Sequence, residues 1–120
     1  MQTRQQLDNF VVIFSSPEGE RNPGVKPTKY RALVLVDKVH EKTEGGLIIP
    51  PSTIEKARNG QTEGEFISAG GKAFSDWNPE EIPQPGKRVV FERYAGQYLT
   101  GEDGLEYRLM NDDQIVGVRE

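Results

Sequence analysis

The sequence predicts an all-β protein built as a small barrel, and three observations carry this. Gly and Pro together number 21 (13 and 8) in 120 residues and are spread along the chain rather than gathered at its ends. That spacing interrupts helices and favours short strands joined by turns. No long window shows a clean 3.6-residue apolar period, which argues against an all-helical fold. From Tyr30 onward, short β-rich segments recur between turn signals, the pattern of a small barrel.

Residues 1–28 read as an N-terminal extension. Within it "FVVIF" (Phe10 to Phe14) is either a strand or the apolar face of a short helix begun near Leu7. "SSPEGERNPGVKPTK" then has the chemistry of a turn and linker. Tyr30 to Val36, "YRALVLV", is the first main strand, and its nearly continuous apolar character predicts burial on both faces or against a partner. A polar stretch follows to Gly64, with a short helical turn possible at Ser52 to Arg58, where Ser52 and Glu55 have capping-box spacing. Gly64 to Ala69 is a strand and Gly70-Gly71 a turn. "KAFSDWNPEEIPQPG" is an irregular excursion, and Lys87 to Arg93 is the next strand. Gln97 to Thr100 and Leu105 to Met110 form a hairpin around Asp103-Gly104. Asn111, Asp112 and Asp113 suit a turn before a last strand, Ile115 to Val118.

Composition excludes several classes of function. The net charge of -4 and pI near 5.1 argue against non-specific binding to phosphate backbones or anionic lipid. There is no cysteine, so disulfides, thiolate zinc sites and cysteine nucleophiles are out, and the chain suits a reducing compartment. "FVVIF" is too short for a membrane span or a signal sequence, so the chain reads as soluble and cytosolic. The hydrophobic fraction of 34% and mean hydropathy of -0.67 leave a small core, which help from neighbouring subunits would suit.

Nothing in the sequence reads as a catalytic or metal centre. His40 is the only histidine, which rules out a multi-histidine metal site within one chain and reads as a surface residue. The pairs Glu80-Glu81, Glu102-Asp103 and Asp112-Asp113 read as solvated turns, since adjacent carboxylates on a strand point apart. The glycine pairs Gly45-Gly46 and Gly70-Gly71 lack the context that cradles phosphate. No basic patch interleaves with the aromatics, so a nucleic-acid surface is weakly supported.

The unusual feature is "EGGLIIPP", where Leu47, Ile48 and Ile49 sit in a polar, flexible setting. They form either a buried strand or an adhesive arm that docks into an apolar groove on a partner. The flanks favour the arm: Gly45-Gly46 gives freedom on one side and Pro50-Pro51 prevents ladder pairing on the other. Burying each aliphatic side chain yields roughly 1.5–3 kcal/mol, while fixing each residue's backbone costs roughly 1–2 kcal/mol. A single arm therefore binds weakly, and useful affinity needs several arms on one rigid body.

The order of these pieces resembles the co-chaperonin family, the ten-kilodalton chaperonin caps related to GroES. "RALVLVDKV", "EKTEGGLIIP", "GEFISAGG", "QPGKRVVFERYAG" and "GLEYRLMNDDQIVGV" follow one another as the family's segments do, over residues 29–120. The resemblance implies an irregular antiparallel β-barrel with a mobile loop over residues 37–63 and a roof excursion over residues 72–85. It also implies a homo-oligomer, a seven-fold ring in which the first and last strands of adjacent subunits pair. That ring would cap a GroEL-type chaperonin that binds and hydrolyses the ATP, so the chain itself would need no cofactor, act in the cytoplasm and not be an enzyme. Gly45, Gly46, Leu47, Ile48 and Ile49 match the family's chaperonin-binding element.

Three features depart from the family's pattern: the extension, the length of chain between Pro51 and Gly64, and an excursion around Trp77 without an Asn-Gly or Asp-Gly hairpin tip. They resemble the divergent co-chaperonins of bacterial viruses, which serve the host chaperonin in the host cytoplasm. The alternatives are a β-barrel structural or virion module, with the triplet as a core strand, and an OB-like nucleic-acid or oligosaccharide binder.

Overall fold

The structure, a computed structural model, describes residues 2–7, 10–39 and 48–120, with residues 2–7 and 10–14 described by their backbone. Among the described residues, nine strands, β1 (Gln2–Leu7), β2 (Phe10–Ser15), β3 (Arg31–Val36), β4 (Lys38–Val39), β5 (Glu63–Ala69), β6 (Arg88–Phe91), β7 (Gln97–Thr100), β8 (Glu106–Asn111) and β9 (Ile115–Val118), accompany one α-helix, α1 (Pro51–Asn59). The all-β expectation holds. Six strands form one antiparallel sheet in the order β7-β8-β3-β5-β6-β9, and β1-β2-β4 form a second.

β3 is the keel of the larger sheet. Strand alternation sends Ala32, Val34 and Val36 to one face and Leu33 and Leu35 to the other, and all five are buried. The first set joins Phe66, Val89, Phe91, Met110 and Ile115 in the main core, so the sheet curls around that face. The second set packs with Tyr107, Ile67, Leu99 and Leu109. Burial on both faces, one of the two sequence expectations, is thus achieved within the chain. Both edges of β3 are also taken, by β5 and β8, so the strand is not available to pair with a neighbouring subunit. Among the described residues the outer strands of this sheet are β7 and β9. Gly64 lets β5 lie close to β3, because a Cβ there would sit 2.6 Å from the Leu35 carbonyl oxygen.

"FVVIF" forms a strand and not a helix. It lies in the second sheet, between β1, a polar strand with no apolar pattern to announce it, and the two-residue β4, pairing Phe14 with Val39 and Ser15 with Lys38. The excursion after Gly70 contains no hairpin; it runs through turns and a 3-10 helix at Pro79–Glu81. Trp77 meets the Phe74 ring edge-on at 4.7 Å and packs against the main core. Phe74 itself has φ of 63°, an unfavourable conformation for an aromatic residue, and its N–H donates to the Asp112 carboxylate at 2.8 Å.

The proline-rich linker is a strap tied down at several points. Arg21 pairs with Glu65 of β5 at 3.2 Å, while Asp103 and Glu102 N–H groups donate to the Asn22 and Pro23 carbonyls at the β7–β8 turn. Gly104, with φ of 80°, makes that turn, as its Asp-Gly signal predicts. Asp103 is the hub: its carboxylate accepts from the Tyr107 hydroxyl (2.6 Å), the Asn22 N–H (2.8 Å) and the Leu105 N–H (3.0 Å). Asp103 and Asp112 are therefore structural acceptors rather than merely solvated turn residues. Burial raises the Asp103 pKa, but those three donors outweigh it and hold the carboxyl below its ordinary value. Burial, then the bond to Asp103, push the Tyr107 phenol up.

A carboxyl with a lowered native pKa stabilises the fold above its unfolded value of about 3.9, and that contribution is lost as pH falls through the native pKa. Asp103→Asn should therefore flatten the decline in stability below about pH 4. Urea midpoints measured from neutral pH down into the acid range will check this; an unchanged slope would refute the role given to Asp103.

Candidate functional site

Ile48 and Ile49 are the two members of the predicted site that can be placed; Gly45, Gly46, Leu47 and His40 lie outside the described residues. The two isoleucines part company. Ile48 is 73% exposed, whereas Ile49 is 1% exposed in a cluster with Ala57, Val39 and Ile54. The cluster is separate from both faces of the larger sheet.

The region following Pro51, expected as part of a mobile loop, contains a nine-residue helix. Its start differs from the sequence reading. Pro50 is the N-cap and no side-chain cap bond forms, so the Ser52–Glu55 capping box is absent. Pro51 occupies the first helical position, where a missing N–H costs nothing and φ is already set. The proline pair that blocks a strand ladder also begins a helix. The Pro50 carbonyl accepts from the Thr53 and Ile54 N–H groups at 3.0 and 3.1 Å.

Two sets of contacts fasten the roots of this arm, and the sequence reading found neither. In the first, the Gln61 side-chain amide brackets the Asp37 backbone, accepting its N–H and donating to its carbonyl, each at 3.0 Å. The Asp37 carboxylate in turn receives both terminal nitrogens of Arg88 at 3.1 Å, the bidentate geometry that gives such pairs their directionality.

The second set surrounds Arg108. Its side chain is buried on the inner face of β8, in register with Val34. The guanidinium donates to the carbonyls of Gln61 (3.3 Å), Arg58 (3.4 Å) and Asn59. It stacks over Phe91 at 5.1 Å and Tyr98 at 4.8 Å. Arg58 and Asn59 end α1, where carbonyls lack helical partners and the helix dipole is negative, so a buried cation belongs there. The Tyr98 hydroxyl also donates to the Arg58 carbonyl. Burial pushes the Tyr98 phenol up, against the pull of Arg108, which keeps it a neutral donor. One signal was readable in the sequence: in "EYRLM", alternation puts Arg108 on the same face as Met110, an inward position.

Chemically, this arrangement presents an apolar side chain on a braced support. Among the described residues no group of His, Cys, Asp and Glu could hold a metal ion, and no helix is long and apolar enough to cross a membrane.

Comparison with known proteins agrees with the fold. The Chaperonin 10 Kd subunit family matches residues 24–119. The co-chaperonin GroES of Natranaerobius thermophilus is 35% identical over 98 residues, covering 80% of this chain and 98% of that protein. The co-chaperonin GroES of Paracoccus denitrificans is 39% identical over 95 residues, covering 78% and 95% respectively. A chloroplastic 20 kDa chaperonin of Arabidopsis thaliana is 27% identical over 118 residues, 98% of this chain and 45% of that protein. The chain belongs to the Chaperonin 10 Kd subunit family, whose relatives here are co-chaperonins.

Replacing Arg108 with Met keeps the apolar stem but removes a donor from three carbonyls, of which Arg58 keeps the Tyr98 hydroxyl. Stability should fall by about 1–3 kcal/mol. Amide exchange in α1 should rise more than in β3. Urea denaturation and hydrogen exchange measure the two effects, and unchanged α1 protection would remove Arg108 as its clamp.

Proposed function

We propose that this co-chaperonin caps a GroEL-type chaperonin ring, binding it through Gly45, Gly46, Leu47, Ile48 and Ile49 and closing its chamber over folding proteins. The observation that carries this reading is Ile48, a large aliphatic residue 73% exposed beside a helix that the barrel holds firmly. An isolated exposed isoleucine needs no explanation, but one presented on a braced support in a family of co-chaperonins has a ready one. ATP is bound and hydrolysed by the chaperonin; this chain contributes binding and a lid, not catalysis. Its place of action is the cytoplasm, that of the host if the gene is viral.

The arms act together on a homo-oligomer, a seven-membered ring. The features that support assembly are the outer edge of β9, which no strand pairs among the described residues, the 61% exposed Val116 on it, and the neighbouring groove of 740 Å³ lined by Trp77, Ile82 and Pro83. A sheet edge left uncovered on a soluble protein invites another strand. Because each arm alone buries few apolar side chains and binds weakly, the ring supplies the affinity through effective concentration.

Ile48→Asp should abolish co-sedimentation with a chaperonin in nucleotide while native mass spectrometry still shows the assembled ring. Retained binding by this variant would sink the proposal, and a strictly monomeric wild-type chain would sink the ring.

A further inference from the structure

The aliphatic triplet reads as one unit, yet its last two residues face opposite environments. Numbering from the helix explains why. With Pro50 as N-cap, Ile49 is the residue before the cap and Ile54 is the fourth in the helix. Contact between these two positions is a hydrophobic staple, a device that fixes the angle at which a chain enters a helix. Ile49 and Ile54 belong to one apolar cluster, joined by Ala57 one turn further along α1 and by Val39 of β4. Pro50 is extended, with φ of -57° and ψ of 144°. Ile48 takes part in a β-bridge, and in such extended chain successive side chains point to opposite sides, so holding Ile49 inward turns Ile48 outward.

We infer that Ile49 is a positioning residue and not part of the surface that enters the partner: it staples α1 and thereby aims Ile48 at an apolar groove on the chaperonin. The inference rests on the co-chaperonin reading and divides the proposed site by task. Ile48 makes the contact. Ile49 is already buried, so it can add to binding only by fixing the direction and reducing the freedom of its neighbour before the encounter.

Single substitutions in the full-length ring separate the two tasks, with two readouts for each: hydrogen exchange of the α1 amides in the free protein, and affinity for a chaperonin ring in nucleotide. Ile49→Ala should raise α1 exchange and weaken binding, each by about tenfold or more. Ile49→Val, which keeps the branched stem, should restore most of both. Ile48→Ala should weaken binding and leave α1 exchange unchanged. Because Ile49 lies outside both core clusters of the larger sheet, the barrel should remain folded in every variant, which β3 exchange will verify. Loss of binding by Ile49→Ala with α1 protection intact would overturn the inference, since Ile49 would then enter the partner itself. Loosened α1 with unaltered affinity would overturn it too. If Ile48→Ala and Ile48→Asp both bind normally, it is the co-chaperonin reading that fails, whatever Ile49 does.

Discussion

Arg108 carries a charge into a place that water barely reaches, and the connection between barrel and arm depends on how that charge is met. A buried guanidinium without partners would be costly. Here the end of α1 supplies carbonyl oxygens and Phe91 and Tyr98 supply ring faces. The need is mutual, because the last carbonyls of a helix are themselves unsatisfied. β8 therefore recruits α1, and α1 presents its N-terminal end, with Ile48 and Ile49, at a defined place relative to the sheet. The Asp37–Gln61 bracket and the Arg88 pair hold the other root. Together they make the arm's base an extension of the barrel.

How much of this the sequence disclosed depends on the scale at which each signal operates. Strand alternation and turn chemistry act over a few residues, so β3, β5, β7, β8 and β9 are found within a residue or so of their expected limits. β1 is missed because "QTRQQL" has no apolar face; it is a strand because β2 pairs with it along its whole length. Pro50-Pro51 was legible as a break in strand pairing, while its second meaning, the start of a helix, depends on whether the following residues find something to bury against. Ala57 and Ile54 find Ile49 and Val39. Arg108 and Gln61 stayed hidden for a related reason. Their partners are backbone atoms 47 and 24 positions away, and a backbone carbonyl has no letter in the sequence.

The candidate site shows the same division. That Leu47, Ile48 and Ile49 matter was legible from three aliphatic letters in polar surroundings. That Ile48 and Ile49 have different environments was not, since both are the same amino acid in the same flank and only the helix that follows distinguishes them. The ordering of α1 also alters the energy balance of an arm. Residues that are helical before any partner arrives have their conformational entropy already lost, and docking need not supply it again.

The Gln61 amide holds the two ends of the arm at hydrogen-bond distance although they are 24 positions apart in the chain. What lies between them is topologically a closed insert, tied to the sheet at its roots by the Gln61 bracket and by Arg108. The entropy of closing a flexible insert rises only by about 0.6 kcal/mol for each doubling of its length. Such a fold lets evolution vary the reach and contents of the arm at small cost while leaving the β-sheet untouched. The helix α1 sits within that insert, between its two fastened roots, so its length and contents set how far the arm reaches from the sheet.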